Sequence, residues 1–164
     1  MPNVVLKTPK KCSEAELNMF EKLVKDGGEV SLRGLRHRIV NALYLAWIEE
    51  KGDDMIGVAA IKKPSPDYRS SVFKKAGSSE VANQYEFELG WVFIIPTCRG
   101  YRLSMPLIQS LLTSFSIQPI FATTRENNEA MKAILTKFGF QKSGESYMST
   151  NGEHKLILFV REGK

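Results

Sequence analysis

A strand that leads through a glycine-bearing loop into a helix lies near the middle of this sequence, and it restricts the fold more than any other segment. The strand is the β-branched and aromatic run 91–95, which Pro96 ends because proline cannot donate to a sheet ladder. Leucines then recur every fourth residue from Leu103 to Leu111, as on one face of a helix. Such a corner directs backbone N–H groups and the positive end of the helix dipole at one point, so it can bind an anion.

The residues at this corner resemble a known signature. The acyl-CoA-binding motif of the GNAT superfamily of N-acetyltransferases matches at six positions: Glu88, Leu89, Ile94, Pro96, Arg99 and Gly100. Two positions depart from it, because Arg102 replaces the second glycine and Ser104 replaces the closing glycine or alanine. An ordinary strand–loop–helix corner is the alternative for this motif taken alone.

A second segment resembles the later motif of the same superfamily. Asn128, Lys137, Gly139 and Phe140 match it, and Ile134 is a close substitute for its leucine. Leu135 stands where the superfamily usually has a tyrosine. Two motifs at the expected spacing indicate the superfamily more strongly than either does alone, and the resemblance extends over about residues 43–160.

The resemblance implies the α/β (α+β) GNAT fold, formed by residues 1–164 as one domain. We expect a mixed central sheet of about six to seven strands with a splayed central pair, flanked by about four helices. Two local patterns predict structure more specifically than the rest of the chain does. Residues 67–77 predict a short helix with Tyr68 on its apolar side, within a long connection that is either functional or a solvated insertion. Asn151-Gly152 predicts a type I′ hairpin.

The resemblance also implies where acyl-CoA binds. The backbone of the central strand should pair with the pantetheine amides, the N–H groups of the loop should receive the pyrophosphate, and an amide should lie near the pantetheine arm. The residues in these three roles are, in order, Phe93, Ile94 and Ile95; Arg99, Gly100, Tyr101, Arg102, Leu103 and Ser104; and Asn128. A helix N-cap is an equally good interpretation of Asn128 and is compatible with the first role.

Amide formation needs a base for the amine proton, an N–H that polarises the thioester carbonyl and an acid for the thiolate. The resemblance implies Glu88 as the base, although a solvated strand face is the alternative. The Ile94 or Ile95 N–H is the expected polariser. With Leu135 at the usual tyrosine position, the thiolate leaves unassisted or through water, or another group substitutes as the acid, or catalysis is lost. Tyr147 is our candidate acid and Tyr101 is the other nearby phenol, and a packing or surface role is the alternative for both.

The implied function is therefore an N-acetyltransferase that transfers acetyl from acetyl-CoA directly to a primary amine. The acceptor stays open among a small amine, a protein N-terminus or lysine, and the aminoacyl group of a charged tRNA. A non-catalytic acyl-CoA-binding or partner-binding module is the alternative, because two motif residues are replaced. A nucleic-acid-directed transferase is the remote alternative, and a homodimer is left open.

The amino-acid composition limits which partners and which cellular compartment we expect. Cys12 and Cys98, the two cysteines, follow no Cys-x-x-Cys or Cys/His spacing, which argues against a disulfide framework and a metal site. No apolar run reaches the ~18 residues of a membrane span. We therefore expect a cytoplasmic protein without a membrane partner. The net charge of +5 is dispersed, and a basic segment at 33–38 is either a solvated face or a contact for an acceptor such as RNA.

Overall fold

The computed structural model describes residues 3–28, 30–52, 54–115 and 118–163, so seven positions of the expected domain 1–164 lie outside it. The strands are β1 (Asn3–Lys7), β2 (Tyr44–Glu49), β3 (Met55–Lys62), β4 (Phe87–Ile94), β5 (Ile120–Arg125), β6 (Gln141–Met148) and β7 (Lys155–Arg161). The α-helices are α1 (Glu14–Gly27), α2 (Leu35–Val40), α3 (Pro66–Ala76), α4 (Ser104–Ser114) and α5 (Glu129–Lys137).

These strands form one mixed sheet in the order β1-β2-β3-β4-β5-β7-β6. The β4–β5 pair is parallel, whereas the β1–β2, β2–β3, β5–β7 and β6–β7 pairs are antiparallel. The parallel ladder joins Phe87 to Ile120 and Glu88 to Phe121. The predicted mixed sheet of about six to seven strands is confirmed with seven strands, and the described residues form five α-helices instead of the expected number of about four.

The chain divides into two compact units, which are Met1–Lys63 with Gly90–Phe115, and Pro64–Leu89 with Ser116–Lys164. We call them the first and the second unit. β4 contributes residues to both, because the division falls between Leu89 and Gly90. No helix in the ranges given above is long and apolar enough to cross a membrane.

The core of the first unit is built on α1. Ser13 accepts a hydrogen bond from the Glu16 N–H at 3.1 Å, and the Glu16 carboxylate accepts one from the Ser13 N–H at 2.8 Å. This capping box satisfies N–H groups that the first helical turn leaves without partners. The apolar face of α1 then packs into one cluster with buried side chains of α2, β2 and β3: Leu17, Phe20, Leu23, Val24, Leu35, Ile39, Leu45, Trp47, Met55 and Val58.

Trp91 belongs to the same core but has an unusual backbone. Its φ is +54°, in the left-handed region that bulky residues rarely adopt, although it lies inside β4. The side chain is 8% exposed, meets Phe20 edge-on at 6.3 Å between ring centroids, and lies beneath the Lys62 ammonium at 4.8 Å. Burial and these two contacts offset a conformational cost of about 1–2 kcal/mol.

In the second unit, α3 confirms the predicted helix. Ser65 accepts a hydrogen bond from the Tyr68 N–H at 3.2 Å and so caps the helix, and Pro66 occupies its first position. The apolar side of α3 differs from the prediction, because Arg69 is buried there while Tyr68 is 41% exposed. Phe73 anchors the helix through an edge contact with Phe121 and a tilted contact with Tyr85.

The β6–β7 connection also differs from the prediction. β6 ends at Met148 and β7 begins at Lys155, so the loop is longer than a two-residue turn. Neither Asn151 nor Gly152 has a positive φ, although a type I′ turn requires one at both central residues. The predicted hairpin turn is therefore wrong. The Ser149 hydroxyl accepts the Asn151 N–H at 3.0 Å and provides a local alternative to that turn.

We predict that Gly144→Ala destabilises the second unit strongly. Gly144 has a φ of +75°, and a Cβ there would lie 2.1 Å from the Ala76 carbonyl oxygen. The left-handed backbone should cost about 1–2 kcal/mol, and the overlap with a backbone atom about 1–3 kcal/mol more. Urea unfolding measures the loss.

Gly77→Ala is the matched control. Gly77 has a φ of +63°, but a Cβ there meets no atom within 4 Å. The unfolding free energy of Gly77→Ala should therefore fall only by the cost of the left-handed backbone, about 1–2 kcal/mol. Equal losses in the two variants would contradict the close approach of α3 to β6.

Candidate functional site

The loop between β4 and α4, in the first unit, is where the sequence predicts anion binding. Residues Pro96–Cys98 form a short 3₁₀ turn, and Arg99 is extended. Gly100 follows with a φ of +90°, and no atom lies within 4 Å of the Cβ that another residue would add there. Gly100 therefore adopts a backbone conformation that is costly for other residues, and it leaves open space beside the turn.

Arg102 occupies the position of the second motif glycine. Its φ is +56°, so the residue departs from the motif while its backbone adopts a conformation that glycine favours. A non-glycine residue in this region costs about 1–2 kcal/mol, which the loop tolerates. The Arg102 side chain is exposed, so its guanidinium is available to an anionic ligand at the turn.

α4 begins directly after this turn without a side-chain cap. Leu103 occupies the N-cap position, and no side chain accepts a hydrogen bond there. The first turn also has no acidic residue, so its N–H groups and the positive dipole end meet no carboxylate of their own helix. The buried face of Leu107, Ile108, Leu111 and Leu112 holds the helix in place. The loop and the helix start thus suit a phosphate group.

The backbone at the end of β4 limits which of the three residues predicted to pair with pantetheine are able to do so. The Ile95 N–H donates to the Ile56 carbonyl of β3 at 2.9 Å. Because successive residues of a strand turn their N–H and C=O groups to opposite sides, Phe93 also faces β3 and Ile94 faces away. The Ile94 and Ile95 N–H groups are the two predicted carbonyl polarisers. The Ile95 N–H is used within the sheet, so the Ile94 N–H is the one directed away from β3. The Ile94 carbonyl accepts from the Arg99 Nε at 3.1 Å.

The remaining predicted loop residues differ in exposure. Tyr101 is 74% exposed, Leu103 and Ser104 are half-buried, and the Arg99 guanidinium lies 5.5 Å from the centre of the Phe93 ring. Tyr101 is thus a surface side chain, as one of its two interpretations held.

Glu88 lies in the second unit as a buried carboxylate. It is 3% exposed and pairs in register with Phe121 of β5, so the solvated-face alternative is wrong. Its Oε2 accepts a hydrogen bond from the Tyr68 hydroxyl at 3.2 Å. A buried carboxylate requires such donors, because burial without hydrogen bonds is costly. Glu86 precedes the strand and is exposed.

Tyr147 is a second phenol on which the charge of Glu88 acts. Its hydroxyl is buried and has no hydrogen-bond partner among the residues described. Burial raises the pKa of Tyr147 well above its usual range, and the negative charge of Glu88 raises it further. The structure thus brings the two predicted catalytic residues under each other's electrostatic influence, and Tyr147 remains a neutral donor at every physiological pH.

Asn128 and Leu135 are both on α5. The Asn128 Oδ1 accepts the Met131 N–H at 3.0 Å, which confirms the N-cap interpretation and leaves the amide nitrogen for a second role. Leu135 is 1% exposed and packs in the interior, and its hydrocarbon side chain cannot act as an acid.

The basic segment of α2 is largely committed to structural contacts. Arg36 binds Glu14, Asn18 and Glu21 of α1 at 3.0, 2.8 and 2.8 Å. Arg38 donates to the carbonyls of Ser31 and Arg33. Both side chains therefore hold local structure, which weakens the case for an RNA contact at this helix.

Sequence reasoning missed Tyr68 as a site residue. The helical pattern placed it on the apolar side of α3, whereas the structure directs its hydroxyl to Glu88, twenty residues later in the chain. The available signal was the uncommon length of the connection between β3 and β4, which indicated a function without identifying a residue. Across the described ranges, no group of three His, Cys, Asp or Glu side chains could hold a metal ion.

Several solved structures with the same fold carry the name of an acetyltransferase or an acyltransferase. An acyl-CoA N-acyltransferase from Pseudomonas aeruginosa is 13% identical, with a TM-score of 0.73 over 98% of this chain and 99% of that one. Escherichia coli ElaA is 14% identical, with a TM-score of 0.71 and the same coverage. An acetyltransferase of the GNAT family from Bacillus cereus is 19% identical, with a TM-score of 0.63 over 100% and 99%.

These likenesses show that the chain has the GNAT fold, so the predicted fold class and the structural resemblance to this superfamily are confirmed. No protein-family model and no curated protein sequence matches the chain.

We predict that Tyr147→Phe changes the alkaline stability. The tyrosine pKa is higher in the folded than in the unfolded state, so its contribution is complete below pH ~10 and is lost as the pH rises above that value. The variant should therefore lose stability less steeply above pH ~10. At neutral pH its unfolding free energy should not fall, because the deleted hydroxyl has no hydrogen bond to lose.

Urea unfolding from pH 8 to 11 tests this prediction, with Tyr101→Phe as the surface control. Some alkaline loss should persist in both variants, since burial raises the pKa of Tyr85 to about 12. A wild-type slope in Tyr147→Phe would contradict the buried position of the Tyr147 hydroxyl.

Proposed function

We propose that this protein is an acyl-CoA-dependent N-acyltransferase that transfers acetyl from acetyl-CoA directly to a primary amine. The observation that carries the proposal is the loop at 99–104. The first two glycine positions of the acyl-CoA motif have left-handed backbones, although one is arginine, and the loop leads into an uncapped helix. The GNAT fold and the acyltransferase names of similar structures support the same reaction class.

In this proposal the loop holds the phosphates of acyl-CoA. The N–H groups of residues 99–104 and the dipole of α4 receive the pyrophosphate, and the Arg102 guanidinium adds a mobile positive charge. The outward edge of β4 at Ile94 pairs with the pantetheine arm, with Phe93 and Ile95 beside it. Asn128 offers its amide nitrogen to that arm while its oxygen caps α5.

The chemistry assigned to the side chains follows from their charge and burial. Bound acyl-CoA supplies an activated thioester to the amine. Glu88 takes the proton that the amine must lose, and the Ile94 N–H stabilises the developing charge on the carbonyl oxygen. Tyr147, held protonated by burial, donates a hydrogen bond toward the leaving sulfur in place of the tyrosine that Leu135 replaces.

The proposal also covers the acceptor, the cellular compartment and the domain organisation. The acceptor is a primary amine of a small molecule, a protein N-terminus or lysine, or an aminoacyl-tRNA. Cys12 and Cys98 are both free thiols, which suits the cytoplasm. We treat the chain as one catalytic domain. A binding module without catalysis remains the competing function, because Leu135 leaves the usual donor position of α5 without a hydroxyl.

We predict micromolar binding of acetyl-CoA, measured by calorimetric titration with CoA and ATP as comparison ligands. Gly100→Leu should weaken binding at least ~10-fold, because its side chain would occupy the open space beside the turn. Arg102→Gly should weaken binding about tenfold at low salt through the loss of a phosphate contact, without loss of stability.

Gly52→Leu is the matched control for the backbone. Gly52 has a φ of +86° and likewise no atom within 4 Å of an added Cβ, but it lies in the turn before β3. This variant should have the strain of Gly100→Leu and wild-type affinity. Full affinity in Gly100→Leu would contradict the assignment of the phosphate loop.

We predict that Glu88→Gln lowers kcat by about 10²–10⁴-fold, because glutamine keeps the shape of the side chain but cannot accept the amine proton. Acetyl-CoA affinity should be unchanged. Release of free thiol from acetyl-CoA measures turnover with a panel that contains a polyamine, a lysine-bearing peptide, a peptide with a free N-terminus and an aminoacyl-tRNA.

Glu86→Gln removes an exposed carboxylate two residues away and should keep wild-type turnover. Wild-type turnover in Glu88→Gln would remove Glu88 from the role of base. Tight acetyl-CoA binding by the wild type with no turnover on the whole panel would favour the binding module.

A further inference from the structure

We infer that α3 supplies a positioning residue for the proposed reaction, and that this residue is Tyr68, whose hydroxyl orients the buried Glu88 carboxylate. The inference rests on the proposed function for its catalytic meaning, while the contact itself stands on the structure. It gives a role to the long connection between β3 and β4, which the proposed acyl-CoA site does not use.

The first support is the hydrogen bond itself. The Tyr68 hydroxyl donates to the Glu88 Oε2 at 3.2 Å, and the acceptor belongs to a side chain that is 3% exposed. A donor to a carboxylate stabilises its charged form and restricts its rotation. Both effects serve a general base, which must be ionised and directed at the amine when the proton leaves.

The second support is the way the helix holds Tyr68 in place. Ser65 accepts the backbone N–H of Tyr68 itself, so the residue is fixed in the capped first turn. The adjacent Arg69 is buried and donates to the carbonyls of Ala82 and Tyr85 at 3.2 and 3.5 Å. This contact ties α3 to the segment that leads into β4, in which Tyr85 lies three residues before Glu88.

The other end of α3 is fixed independently. The Ala76 carbonyl lies against Gly144 of β6, where no side chain would fit. Beyond it, the Ser78 and Ser143 hydroxyls are 2.6 Å apart and hydrogen-bonded. Tyr68 therefore projects from a helix that is anchored at both ends, and a rigid support of this kind is what a positioning residue needs.

The third support is the difference between the two phenols near Glu88. Tyr147 on β6 is buried, and no hydrogen bond joins its hydroxyl to a described residue. Tyr68 on α3 reaches the carboxylate at one end and is 41% exposed. β5 contributes the apolar Phe121 in register with Glu88. Tyr68 thus orients the base from the solvent side, while Tyr147 is left for the donor role.

The test compares Tyr68→Phe with Tyr44→Phe, which removes a half-buried phenol of β2 in the first unit. With the panel amine that the wild type acetylates, Tyr68→Phe should lower kcat about tenfold. It should also shift the acidic limb of the kcat–pH profile to higher pH, and leave the KM for acetyl-CoA within about twofold. Tyr44→Phe should match the wild type in all three measurements.

A double-mutant cycle of Tyr68→Phe and Glu88→Gln tests the contact without turnover. Tyr68→Phe should lower Tm clearly when Glu88 is present, and by less than half as much in the Glu88→Gln background. Additive losses in Tm, or an unchanged pH profile, would overturn the role of Tyr68. Coupled losses with no turnover by the wild type would instead overturn the proposed function and the catalytic part of this role together.

Discussion

The left-handed backbone of Trp91 is the constraint around which β4 is arranged. A tryptophan with a positive φ inside a strand persists only where its surroundings compensate, and here the α1 core and the Lys62 ammonium do so. Before it, Phe87 and Glu88 pair with β5, and after it, Ile95 donates to β3. Trp91 therefore separates the part of the strand that holds a buried carboxylate from the part that leads to the loop before α4.

Much of the fold could be predicted from the sequence because local chemistry and burial agreed. The Ser13 capping box, the glycine end of α1 and the leucine face of α4 each follow from one short pattern. Where two local preferences competed, the prediction failed. Asn151-Gly152 is a strong turn signal, but the Ser149 hydroxyl and a longer loop displaced it. Arg69 took an apolar position because its Nη1 donates to two backbone carbonyls of a distant segment, although its buried Nε has no hydrogen-bond partner among the described residues.

The candidate site was predictable in its parts but not in its contacts. The motif placed Glu88 correctly in the sheet, yet its burial depends on β5 and α3, which no local pattern specifies. The electrostatic influence of Glu88 on Tyr147 joins β4 to β6 across two intervening strands, which no local pattern specifies. Tyr68 was missed because strand alternation and helical periodicity describe faces, whereas a hydroxyl-to-carboxylate contact depends on the position of a whole helix.

Arg102 has a consequence for how quickly an anionic ligand would reach the loop. A glycine at this position would give the same backbone without charge, whereas arginine places a flexible cation beside the positive end of α4. The electric field of these two groups extends about 8–10 Å into physiological saline. If the loop binds a polyphosphate as proposed, this field would accelerate the encounter before any close contact forms, and the gain would diminish as salt screens the field. In that case the strained arginine would contribute to the rate of ligand association as well as to the shape of the loop.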